Sequence, residues 1–99
     1  MLTLPIKKKW FDMILSGEKK EEYREIKPYY DSRFRIRNED EARTLMVLFR
    51  NGYRKNNPAI KCEVIISKGL GKSEWGAELG KLYYVLKILS VEEVTNAKD

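Results

Sequence analysis

The alternation of apolar and polar positions divides the chain into a helical opening and a β-rich remainder. Leu2-Thr3-Leu4 is a short strand candidate stopped by Pro5. Ile6, Trp10, Met13 and Ile14 then recur at helical spacing, Lys7, Lys8, Lys9 and Asp12 fall on the wet side, and Gly17 supplies the left-handed stop of a three-turn amphipathic helix. Residues 19–26 switch to a charge-dense period of two, which as a strand places Lys20, Glu22, Arg24 and Ile26 on one face and Lys19, Glu21, Tyr23 and Glu25 on the other. Lys27-Pro28 ends that segment. Tyr29–Arg37 reads as a short helix or loop, and Asn38–Arg43 as a single helical turn capped by Asn38 with Glu41 three residues on.

The second half is β-like. Leu45–Phe49 is a continuous apolar run, short enough for a buried strand. Asn51-Gly52 and Asn56-Asn57-Pro58 signal turns. Ile60, Cys62, Val64 and Ile66 alternate with Lys61, Glu63 and Ile65, and Leu82, Tyr84, Leu86 and Ile88 mark a long last strand. Between them, Gly69–Gly80 is a glycine-punctuated connection holding Glu74-Trp75-Gly76. The pattern predicts an α+β fold, mostly β: a small antiparallel barrel of about five strands with one or two short helices, one of which plugs or flanks an end. A small barrel leaves one mouth as a natural ligand cleft.

Composition narrows the chemistry. The 99 residues make one domain, 1–99, and contain no His and a single Cys, Cys62. Imidazole-based nucleophile systems and imidazole metal ligands are excluded, as are an internal disulfide and a paired-cysteine zinc knuckle, so neither a cofactor nor a metal is expected. Cys62 alternates with apolar residues and reads as a small buried hydrophobe. The apolar runs are too short to span a bilayer, and the segment after Lys7–Lys9 lacks the form of an export signal, so a cytoplasmic protein with no membrane partner is expected. Of the net charge of +5, most lies early: residues 1–37 hold ten Lys/Arg against six Asp/Glu, and the remainder ten against nine. Such an excess suits a phosphate-facing surface and equally suits plain solubility.

The candidate site lies in that basic third. Gly17-Glu18-Lys19-Lys20-Glu21-Glu22-Tyr23-Arg24 matches the pattern G-x-K-x-x-E-x-R. With a strand and a helix before it, a strand after it, and Glu74-Trp75-Gly76-Ala77 ahead of an aromatic last strand, the chain resembles the ASCH domain family. The resemblance implies a PUA-like β-barrel that binds RNA or a nucleotide-like or modified-nucleoside ligand around this motif.

The residues support a ligand site on their own terms. Gly17 ends the helix and allows close backbone approach, Lys19 offers a compact charge, and Glu22 and Arg24 share one strand face. A carboxylate there accepts from a base amine, and a guanidinium grips a phosphate or a base edge. The plain alternative is a solvated strand-face ion pair worth at most about 1 kcal/mol.

A second constellation interleaves Tyr23, Tyr29, Tyr30, Phe34 and Tyr53 with Arg24, Arg33, Arg35, Arg37, Arg50 and Arg54, the mixture that single-stranded nucleic acid binding uses. Within it Tyr29, Tyr30 and Arg33 are candidate ligand contacts, whereas Phe34, with Tyr84, reads as core. Trp10 and Trp75 read as core or rim packing.

One branch of the family that the chain resembles is an amidohydrolase of acetylated cytidine that uses a Lys, a Thr and a Glu. On this chain the Lys falls on Lys19 and the Thr on Glu22, so the hydroxyl is missing; the Glu has counterparts in Glu74 or Glu78. An enzyme would therefore run on Lys19, Glu22 and Glu74, with Lys19 and Glu22 as an acid/base pair. A protein-interaction module using the Trp/Tyr surface is a further alternative. The sequence leaves the oligomeric state open.

Overall fold

The computed structural model describes residues 1–94. Five strands and two short helices form an α+β, mostly β fold: β1 (Leu2–Ile6), α1 (Lys8–Ser16), β2 (Glu21–Arg24), α2 (Pro28–Phe34), β3 (Arg43–Asn51), β4 (Ala59–Leu70) and β5 (Leu82–Val94), with a single 3-10 turn at Ser73–Trp75. The strands build one sheet in the order β1-β3-β4-β5-β2. The three pairs β3–β4, β4–β5 and β5–β2 are antiparallel, whereas β1 runs parallel to β3. The sheet curls into a half-barrel, with β1 and β2 as its two edges.

The expected α+β, mostly β architecture of about five strands is thus present, with β1 and β3 parallel and the seam between β1 and β2 open. β1 also continues through Pro5 to Ile6, because an edge strand lacks a second neighbour to demand the missing N–H. Ile6 consequently belongs to β1, and α1 buries Phe11 and Ile14 while Trp10 and Met13 are only half-covered. Gly17 closes α1 with φ 88° and donates its N–H to Ile14 O. The Lys19 N–H bonds Met13 O, and the Ile88 N–H bonds Lys20 O, so the chain is steered from the helix end directly into β2.

The concave face holds the core: Leu4 and Ile6 of β1, Phe11 and Ile14 of α1, Val47 and Phe49 of β3, Ile60–Ile66 alternately of β4, and Tyr84 and Leu86 of β5. Burying each large side chain contributes about 1.5–3 kcal/mol. Phe34 stacks on Tyr30 (centroids 5.4 Å apart) and meets Tyr84 edge-on at 5.0 Å, which seats α2 against the sheet. Tyr84 donates to the Asp31 carboxylate at 2.6 Å. The Phe34 and Tyr84 core assignment therefore holds, as does that of Cys62.

Three local expectations change. The run Leu45–Phe49 is not buried on both faces: Val47 and Phe49 are enclosed, while Met46 is exposed on the uncovered convex side. The segment expected as a helical turn at Asn38–Arg43 is a turn at its start and already strand at Arg43, although Asn38 Oδ1 still accepts from the Asp40 N–H at 2.9 Å in the manner of a cap. On β5, Tyr83–Leu86 are buried consecutively, because the 71–81 connection lies over the convex face, where the Glu78 N–H donates to Tyr83 Oη and the Lys72 N–H to Tyr23 Oη, and Tyr23 packs on Tyr83. A bulge opposite Glu63/Val64, where Ser90 and Ile88 flank an extra Leu89, shifts the face that β5 presents thereafter.

Candidate functional site

β2 is short and rich in charge, yet its pairing with β5 decides where those charges go. Glu22 stands opposite Leu86 and Arg24 opposite Tyr84, both core positions, while Tyr23 stands opposite Val85 on the convex side. The strand period therefore turns Glu22 and Arg24 inward, and Lys19, two residues ahead of the strand, is buried as well.

The three side chains form one linked group. Lys19 Nζ lies 3.4 Å from Glu22 Oε1 and donates to Trp75 O at 2.8 Å. Arg24 Nε donates to Glu22 Oε2 at 3.0 Å, and its terminal nitrogens donate to Tyr30 Oη at 3.0 Å and Pro5 O at 2.8 Å. Each oxygen of the Glu22 carboxylate thus faces a different cation. The Lys19 ammonium also sits over the Trp10 ring at 4.8 Å and the Tyr23 ring at 5.0 Å, so aromatic faces replace part of its lost hydration. Burial holds the Lys19 pKa below its ordinary value, with the neighbouring Glu22 acting in the opposite direction. Among the described residues, no buried side-chain nitrogen or oxygen lacks a partner.

A cleft of about 480 Å³ opens along the seam between β1 and β2. Pro5, Ile6 and Lys7 form one bank, and Glu22–Glu25 with Lys27 the other. Trp10, Tyr30 and Tyr53 supply aromatic walls, and Gly52 completes the lining. The volume lies in the range of about 300–1,000 Å³ that small-molecule sites occupy. Glu22 and Arg24 are its fixed polar groups, and the combination of flat apolar walls with a paired carboxylate and guanidinium suits a planar, polar ligand.

Of the residues singled out in the sequence, Glu22, Arg24 and Tyr30 line this cleft, and Tyr23 and Tyr53 of the aromatic constellation join them. Lys19 contacts Glu22 from behind and lines instead a smaller cavity of about 180 Å³ together with Gly17, Lys20 and Ile88. A Cβ at Gly17 would meet nothing within 4 Å, so its requirement is the turn and not close approach. Tyr29 and Arg33 stand outside the cleft lining: the Arg33 guanidinium stacks on the Tyr29 ring at 3.5 Å and donates to Tyr29 O, a pair facing solvent. Glu74 and Glu78 are exposed, and it is the carbonyl of Trp75, next to Glu74, that reaches Lys19. Trp75 itself is buried, as its position between glycines anticipates. The structure adds Trp10, Lys7 and Lys27 as cleft residues. Trp10 carried a signal in its place at the helix start; the two lysines were indistinguishable from other surface charge.

The fold and site define a small α+β half-barrel whose open seam is a cleft with aromatic walls and, at its floor, a buried carboxylate shared by two cations. No family model matches the chain, and no curated protein or solved structure matches it. No helix is long and apolar enough to cross a membrane.

Proposed function

We propose that the cleft binds a nucleobase-bearing ligand, either a modified nucleoside or one nucleotide of an RNA strand. The observation that carries this reading is the Glu22 carboxylate, held by Lys19 and Arg24 at the floor of a cleft walled by Trp10, Tyr30 and Tyr53. A base has a flat face for the aromatic walls and an amine or imide edge for the carboxylate and guanidinium. The resemblance of Gly17, Lys19, Glu22 and Arg24 to the ASCH motif supports the same ligand class. Titrating the protein with the four ribonucleosides and with a single-stranded hexanucleotide, followed by amide chemical shifts, tests it. Shifts confined to the seam are expected and should vanish in Glu22→Gln; no shifts with any of these would refute the reading.

A second reading, hydrolysis of an acylated nucleoside, draws on Lys19, whose burial lowers its proton affinity beside Glu22. Binding is preferred because the ammonium is enclosed by Trp10 and Tyr23 and committed to Trp75 O, while Glu74 is exposed. Acetate release from acetylcytidine that disappears in Lys19→Ala would reverse this preference.

A further inference from the structure

Tyr53 combines two properties that rarely go together. Its residue is 90% exposed, yet it lines the cleft. The loop that carries it is firmly tied: the Gly52 N–H bonds Ile6 O at 2.9 Å, the Asn51 N–H bonds Pro58 O at 2.9 Å, and Asn57 Nδ2 donates to Asn51 O at 2.8 Å. Arg50 adds donations to Lys55 O and Asn57 O. An aromatic ring is thus presented to water at the mouth of a cleft by a loop held in place, an arrangement that gains nothing from packing within the protein.

The charges at the same mouth are unequal. Glu22 is neutralised by Lys19 and Arg24, and Glu25 is paired with Lys81 at 3.0 Å. Lys7 and Lys27, on opposite banks, have no carboxylate within 4.0 Å among the described residues. The mouth therefore offers two ammonium groups without a salt-bridge partner among the described residues next to an unburied ring, whereas both cations of the floor share the Glu22 carboxylate.

We infer that the ligand is a phosphorylated nucleotide unit, whose base Tyr53 covers by stacking and whose phosphate lies between Lys7 and Lys27. This rests on the proposed function and deepens it, since an uncharged nucleoside would leave both lysines without a counterpart. Stacking on an exposed aromatic and phosphate pairing by lysine act through separate parts of the ligand, so the two contributions are separable.

The test titrates the four ribonucleosides, their 5′-monophosphates and a hexauridylate strand, at low and moderate salt. For the base that binds best, the monophosphate is expected to bind about tenfold more tightly than the nucleoside, with the advantage shrinking as salt rises. Tyr53→Ala should weaken both about tenfold and Tyr53→Phe neither. The double variant Lys7→Gln/Lys27→Gln should abolish the phosphate advantage. Because Tyr53 is unburied, thermal unfolding of its variants should match the parent. The monophosphate and the hexanucleotide arms separate a free nucleotide from a position in a strand.

Equal affinity for nucleoside and monophosphate, or indifference to Tyr53→Ala, overturns this inference while leaving the proposed function standing. Absence of binding by all probes overturns both.

Discussion

The Arg24 guanidinium donates to the Pro5 carbonyl at 2.8 Å, and this hydrogen bond joins two edge strands that share no ladder. The same group holds Glu22 and Tyr30, so one side chain of β2 clasps the seam, the buried carboxylate and the first turn of α2 together. The guanidinium that the sequence offers as a ligand grip is, in the fold, first a structural clasp.

Replacing Arg24 should therefore be costly. Arg24→Ala leaves Glu22 with only Lys19 and frees the β1 edge, and a loss of about 2–4 kcal/mol is expected. Arg24→Lys should recover less than half of it, since an ammonium lacks the planar fork that reaches three partners. Urea denaturation measures both; an unchanged midpoint in Arg24→Ala would contradict the clasp.

Lys19 responds differently to shape and to charge. Lys19→Met keeps most of the buried volume and leaves Glu22 paired with Arg24, and should cost about 1–2 kcal/mol, mainly for the Trp75 O bond. Lys19→Ala adds a cavity beneath Trp10 and should cost about 2–4 kcal/mol. Equal destabilisation by the two would show that charge alone decides the site.

Two glycines separate strain from crowding. A Cβ at Gly71 would lie 2.6 Å from Ala77 Cβ and 2.8 Å from the Tyr23 ring, whereas Gly17 has open space but a φ of 88°. Gly17→Ala is expected to cost about 1 kcal/mol for its left-handed backbone. Gly71→Ala should cost more and shift the Tyr23 and Trp75 resonances, because the connection must lift from the convex face. Comparable midpoints with undisturbed aromatic signals would refute this.

Alkaline pH sets opposing contributions against each other. Burial pushes the Cys62 thiol up to about 11 from its ordinary 9.0, and Tyr84 rises to about 12 through burial and its bond to Asp31. For these acids the unfolded chain loses its proton first, so their stability is complete below pH 9.0 for Cys62 and about pH 10 for Tyr84, and is lost as pH rises through the folded values. Lys19, held below 10.5 by burial, works the other way: its charged form is disfavoured in the fold, so stability rises as it deprotonates below 10.5. Measured between pH 8 and 11, Cys62→Ala should flatten the decline and Lys19→Met should steepen it. Identical pH slopes in parent and variants would remove both assignments.

The seam itself shows how far the sequence reaches. Local spacing was enough for α1 and its Gly17 stop, for the inward alternation of Ile60–Ile66, and for placing Glu22 and Arg24 on one strand face, because periods of 3.6 and 2 depend only on the backbone. The same spacing could not say that β1 passes through Pro5, that Leu45–Phe49 has a wet side, or that Tyr83–Leu86 are all enclosed, since each depends on which neighbour lies across the sheet.

The candidate site divides along the same line. The sequence by itself determined the chemical cast: no imidazole, one thiol, and a Lys, Glu and Arg two to three residues apart beyond a helix-ending glycine. Only the tertiary structure decided their roles, by pairing β2 with β5 so that Glu22 turns inward, by bringing the Trp75 carbonyl across 56 residues to Lys19, and by leaving β1 and β2 unpaired with each other so that a cleft remains. Charge and periodicity are properties of neighbouring residues, but desolvation and cavity shape arise from segments distant in the chain, and no local pattern encodes their meeting.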